Sequence, residues 1–185
     1  MNKHLPPNAV LYVIIGLIVW LLILSIPGKN SDTKKETETT SDSSWIAPSL
    51  FVDQELQGEE RKLVAYGQDL IAHTARYFGP NGSVQTISNG MNCQNCHLQA
   101  GKRIDGNNYS AVFSTYPKFR DRSGSMESVY KRVSDCFQRS LNGTAPDSNS
   151  REYQAIYTYI KWLGKDVKKG DKPKGGGIPK LAYLD

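Results

Sequence analysis

The five residues Cys93-Gln94-Asn95-Cys96-His97 constrain this chain more than any other stretch. Two thiols set two residues apart and followed at once by an imidazole form the C-x-x-C-H arrangement of covalent c-type haem attachment. The spacing serves the chemistry. Each thiol forms a thioether to one vinyl group of the same macrocycle, and the adjacent His97 reaches the iron as an axial ligand. A redox dithiol has no need of His97 and belongs after a strand in a βαβ unit, a pattern absent from the surrounding sequence. A structural zinc site needs a second ligand pair, and the chain holds no other C-x-x-C and no H-x-x-x-H. What the rest of the chain must supply is whatever sits on the other face of the iron.

A chain of 185 residues suffices for one domain with appendages. Its net charge of +5 suits an anionic substrate or an anionic lipid surface. No basic stripe interleaved with aromatics stands out, so nucleic acid is not an expected partner. Of three cysteines, two belong to the haem motif and Cys136 is left over. A lone thiol in an oxidising compartment calls for burial or a bond.

Residues 9 through 26 are apolar apart from Ser25, and 18 helical residues span about 27 Å, close to a hydrocarbon core of ~30 Å. The run is longer than a usual signal-peptide core and no A-x-A site follows it. Residues 1–27 are therefore predicted to be an uncleaved single-pass transmembrane anchor in a bacterial inner membrane, with everything after it facing the periplasm. Residues 28–48 are predicted to be a flexible polar linker, because Asn30 to Ser44 contains no apolar residue and cannot bury a core. Residues 49–164 form the folded head. Residues 165–185 are a lysine- and glycine-rich extension, either a dock for an acidic partner or a remnant linker.

Three helical patterns stand out in the head and no convincing alternating strand does, so the fold class is all-α. The first helix is predicted from Glu59 to Tyr77, with Leu63, Tyr66, Leu70, Ile71, Thr74 and Tyr77 on one face and Gly79-Pro80 ending it. The second is predicted from Met126 to Leu141, capped by Ser125 and stopped by Asn142-Gly143. The third is predicted from Ser150 to Leu163, where Asn149 with Glu152 reads as a capping box. A helix, a haem motif, a long loop region and a terminal aromatic helix is the order of a class I cytochrome c. Gly67 then has two readings. It lets the first and last helices approach closely near Tyr157 or Ile160, or it is a tolerated weak spot costing about 1 kcal/mol.

The ligand opposite His97 stays open on the residues alone. Methionine is the usual choice in an electron carrier. Met91 is too close to the motif, while Met126 is far enough along the chain. Cys136 competes with it. It lies on the inward face of the second helix, in a basic neighbourhood of Lys118, Arg120, Arg122, Lys131, Arg132 and Arg139, and nearby cations favour thiolate. Those charges also read as an ordinary solvated helix face with pairs such as Asp135–Arg139.

Four segments carry a resemblance. They are Ser88 to Leu98 (SNGMNCQNCHL), Tyr116 to Gly124 (YPKFRDRSG), Asp135 to Gly143 (DCFQRSLNG) and Tyr159 to Leu163 (YIKWL). In this order they resemble the catalytic haem domain of the thiosulfate dehydrogenase family of c-type cytochromes. The resemblance runs from about Glu59 to the C-terminus. It implies one covalently attached haem c with iron ligated by His97 and Cys136, held through Cys93 and Cys96. It implies a pocket lined by Arg122, Arg132 and Ser140, and a reaction coupling two thiosulfates to tetrathionate in either direction. It also implies a separate cytochrome or other electron acceptor as partner, since no second C-x-x-C-H occurs in the sequence. Thr144 stands where many family members carry lysine.

Overall fold

The computed structural model describes residues 9–24 and 39–178 of the chain, with side chains over 14–21 and 44–178. Two compact units result, residues 1–37 and 38–185. In the first, α1 (Ala9–Leu24) is a 16-residue apolar helix. It is shorter than the span expected over 9–26, of which residues 25 and 26 lie outside the described residues. At 1.5 Å per residue it covers about 24 Å. Among the described residues no helix is long and apolar enough to cross a membrane.

The second unit is mostly helical. Its scaffold is the crossing of α2 (Gly58–Ala72) with α7 (Arg151–Leu163). Glu59 and Glu60 complement the dipole in the first turn of α2, which buries Val64, Gly67, Leu70 and Ile71. Ser150 caps α7 by accepting from the Tyr153 amide at 3.2 Å, so the cap is Ser150 and not the Asn149–Glu152 box. Tyr153, Ala155, Ile156, Tyr159, Ile160 and Leu163 of α7 are buried together, each such large apolar side chain contributing about 1.5–3 kcal/mol. The helices touch backbone to backbone. A Cβ on Gly67 would lie 2.1 Å from the Ala155 carbonyl oxygen and 2.7 Å from the Tyr159 Cβ. Gly67 is thus the point of close approach, against Ala155 and Tyr159 rather than Tyr157 or Ile160.

The first predicted helix is broken. His73, at φ −129° and ψ 41°, separates α2 from α3 (Thr74–Phe78). The buried Thr74 hydroxyl donates to the Leu70 carbonyl at 2.8 Å, competing with the backbone at the end of α2. A 3₁₀ turn over Cys93–Asn95 and the short α4 (Leu98–Gly101) carry the haem motif, and α5 (Val112–Thr115) follows.

The head is not purely helical. Strands β2 (Lys118–Arg120) and β3 (Ser125–Glu127) form an antiparallel hairpin in which Lys118 pairs Glu127, Phe119 pairs Met126 and Arg120 pairs Ser125. That pairing takes Ser125 and Met126 out of the second predicted helix. The helix α6 (Val129–Arg139) starts later, capped by Ser128, which accepts from the Lys131 amide at 3.2 Å. Phe137 of α6 meets Phe78 of α3 edge to face at 5.5 Å.

The end of the expected linker is a strand, β1 (Thr39–Ser44), lying parallel to β4 (Asp171–Lys174) of the C-terminal extension. Backbone hydrogen bonds hold this ladder, which apolar patterning does not reveal. Trp45 fastens its end, with the indole donating to the Leu163 carbonyl at 3.2 Å.

Candidate haem site

The break between α2 and α3 is the anchor of the C-x-x-C-H motif. The Cys93 amide donates to the Thr74 hydroxyl at 3.0 Å, and Asn92 Oδ1 accepts from the Ala75 amide at 2.8 Å. Gln94 donates to the Ala72 carbonyl at 2.6 Å. Asn92 and the first two motif residues are therefore fixed to the junction of α2 and α3. Cys93, Cys96 and His97 share a cavity whose apolar walls include Ile71, Val112, Phe137, Ile156 and Ile160.

His97 Nδ1 lies 2.6 Å from the Asn107 carbonyl oxygen. A carbonyl only accepts, so the proton is assigned to Nδ1 and the lone pair to Nε2, the state a metal ligand needs. Burial lowers the pKa of His97 and helps keep the ring neutral, against the contrary pull of the Asn107 carbonyl. Tyr109 stacks on the imidazole with centroids 4.4 Å apart.

The chain leaves His97 through a left-handed turn. Gln99 and Ala100 both have φ near +55° (56° and 55°), a conformation costing a non-glycine residue about 1–2 kcal/mol. The Gly101 amide to the His97 carbonyl at 2.7 Å, and the Tyr159 hydroxyl to the Ala100 carbonyl at 2.9 Å, hold the turn in place.

The α6 helix supplies another part of the cavity. Arg132, Cys136 and Ser140 recur every four residues, share one face and all line the cavity. Asp135, on the other side, is only 2 % exposed and bonded to Lys131, with Arg139 3.9 Å away. The Asp135–Arg139 pair is therefore present, but its carboxylate is not on a solvated face. Burial raises the pKa of the Cys136 thiol despite Arg132 beside it, so the cations do not by themselves make a thiolate; coordination to a metal would. Burial likewise pushes Cys93 up to about 11.

The remaining cations come from β2. Lys118 and Arg120 line the cavity, while Phe119 between them points away, as strand alternation requires. Arg122, expected in the pocket, sits exposed in the hairpin turn and is not among the lining residues. Met126 is 62 % exposed on β3 and lies outside the lining as well; Met91 stands at the rim. Sequence reasoning passed over Asn107 and Tyr109. The Asp105-Gly106-Asn107-Asn108 run was the available signal for the turn that delivers the carbonyl to His97.

The donor set fits a c-type haem. Two thiols and an imidazole with a free Nε2 meet in a cavity with apolar walls that also contains a third thiol, Cys136. The fold and this site define a cytochrome c domain, and residues 83–168 match the family model described as the SoxA/TsdA cytochrome c domain. A thiosulfate dehydrogenase of Stutzerimonas stutzeri is 31 % identical over 177 residues, covering 89 % of this chain and 55 % of that protein. One of Psychrobacter arcticus is 36 % identical over 95 residues, covering 51 % and 29 %. The solved thiosulfate dehydrogenase (TsdBA) of Marichromatium purpuratum, in its as-isolated form, superposes with a TM-score of 0.67 at 28 % identity over 77 % of this chain and 31 % of that one. Together these likenesses support a thiosulfate dehydrogenase family member. It spans about half or less of the length of these relatives.

Proposed function

We propose that this chain is a c-type cytochrome that couples two thiosulfates to tetrathionate, in either direction, at a single haem ligated by His97 and Cys136. The observation that carries the reading is the convergence of Cys136 with Lys118, Arg120 and Arg132 in the cavity that holds the haem motif. Bound haem would supply the electron-accepting iron, and the chain's own residues do the rest. Cys93 and Cys96 tether the macrocycle, and His97 offers Nε2.

The substrate is a dianion and two must meet. Two such charges 4 Å apart repel by about 4 kcal/mol even at the dielectric of water. Three cations on one cavity offset that repulsion and orient the pair, with Ser140 as an added donor. Two electrons leave per tetrathionate and one iron holds one at a time. A separate cytochrome or other acceptor therefore takes them in sequence. The apolar N-terminal segment supports anchoring to a bacterial inner membrane, with the haem domain in the periplasm. The exposed position of Met126 supports Cys136 over a methionine ligand, the arrangement of a simple electron carrier.

The test is optical. Thiosulfate should reduce the oxidised full chain, or tetrathionate should reoxidise the reduced one, and Cys136→Ala should slow that step at least about 100-fold. Ascorbate should still reduce both proteins. A Cys136→Ala protein that keeps the wild-type rate with the sulfur anions overturns the assignment. Retention of the full chain in carbonate-washed membranes, lost on deleting residues 9–24, tests the anchor.

A further inference from the structure

The extension beyond α7 does not trail off the head. After β4, Gly175, Gly176 and Gly177 lie against the loop 103–108. The Asp105 amide donates to the Gly175 carbonyl at 3.0 Å, and the Asn107 amide donates to the Gly177 carbonyl at 2.8 Å. Asn108, 5 % exposed, locks the two segments together. Its amide nitrogen donates to the Gly175 carbonyl at 2.7 Å and the Arg103 carbonyl at 3.0 Å. Its oxygen accepts from the Gly177 amide at 3.3 Å and the Ser110 hydroxyl at 2.7 Å.

Glycine is required at both ends of this strap. Gly175 and Gly177 have φ of 79° and 76°, and a Cβ on Gly175 would fall 2.6 Å from Ile104 Cγ2. The loop gripped in this way is the one whose Asn107 carbonyl accepts the His97 Nδ1 proton. The backbone of Asn107 is therefore held on both sides, by the strap at its amide and by the imidazole at its carbonyl.

We infer that Asn108 and the Gly175–Gly177 strap are positioning residues for His97, setting the strength of its Nδ1–H···O bond and through it the reduction potential of the haem. The inference rests on the reading of His97 as an axial ligand. A hydrogen bond at Nδ1 fixes the ring and raises the basicity of Nε2, which favours the oxidised metal. Loosening the strap weakens that bond and should raise the potential.

Three proteins test this against the wild-type holoprotein. One ends after Lys174 and lacks the strap. One ends after Ile178 and keeps it. The third is full-length Asn108→Ala. Optical redox titration should show the Lys174-terminated and Asn108→Ala proteins at least threefold more reduced than wild type at a fixed ambient potential. That is about 28 mV for a one-electron couple at 59 mV per tenfold. Their low-spin ferric EPR signals should also broaden or shift, while the protein ending after Ile178 matches wild type. A merely structural strap would lower the melting temperature and leave potential and EPR unmoved, which overturns the inference. If the shorter protein fails to fold, Asn108→Ala decides alone, and Asn108→Asp should recover part of the shift by restoring the acceptor. Loss of the underlying reading looks different: wild-type protein without covalent haem, or with a spectrum indifferent to His97→Ala.

Discussion

Gln99 is an exposed side chain in a backbone conformation that side chains disfavour, at φ 56° and ψ 46°, two residues from His97. Gln99→Gly should therefore stabilise the head by about 0.5–1 kcal/mol, the relief of left-handed strain less the extra entropy of an unfolded glycine. Urea denaturation of the holoprotein reads this directly, and a loss of stability would show that the turn is not strained as its angles indicate. Strain of this kind gathers where a functional side chain must be aimed. It was invisible in the sequence, since nothing about Gln99-Ala100 marks a left-handed pair. The cavity's sulfur and imidazole were legible because their chemistry admits few other spacings. The cations were legible only in bulk. Lys118, Phe119 and Arg120 alternate with period two, and three residues are too few for that period to distinguish the pair facing the cavity from Arg122 in the turn beyond.

At the scale of elements, Gly67→Ala separates two accounts of one glycine. Helix propensity alone has alanine gaining about 1 kcal/mol. The contact with the Ala155 backbone instead has it losing about 3 kcal/mol, the upper range of overpacking, because a carbonyl within a helix cannot rotate aside. The sign of the change in a denaturation midpoint decides. All three long helices were legible from their apolar stripes. Their ends were not, because the terminating groups are tertiary: a threonine hydroxyl shared between a helix carbonyl and the Cys93 amide, and a strand pairing that claims Ser125 and Met126. The ladder of β1 with β4 joins segments more than a hundred residues apart and carries no hydrophobic pattern, so composition read both segments as linker.

For the molecule as a whole, the loop after Trp45 is fastened to the end of α7 by a charge cluster. Asp53 accepts from Lys165 at 2.8 Å and from the Trp162 indole at 2.7 Å, and these bonds lower its pKa to about 2. A depressed carboxylate contributes stability that is complete above its ordinary pKa near 4 and is lost as pH falls from about 4 to about 2. The melting temperature of the wild type should drop through that window more steeply than that of Asp53→Asn, and the two should differ most near neutral pH. Parallel curves would mean the cluster is not formed in solution.

The strap across the proximal loop also orders events in time. Asn108 and Gly175 are partners 67 residues apart. A chain made from its N-terminus at roughly 5–20 residues per second presents both thiols and the imidazole for several seconds before residues 175–177 exist. During that interval the turn that aims His97 is still unbraced. The last segment synthesised then closes over the loop, so the brace on His97 is the final part of the site to exist.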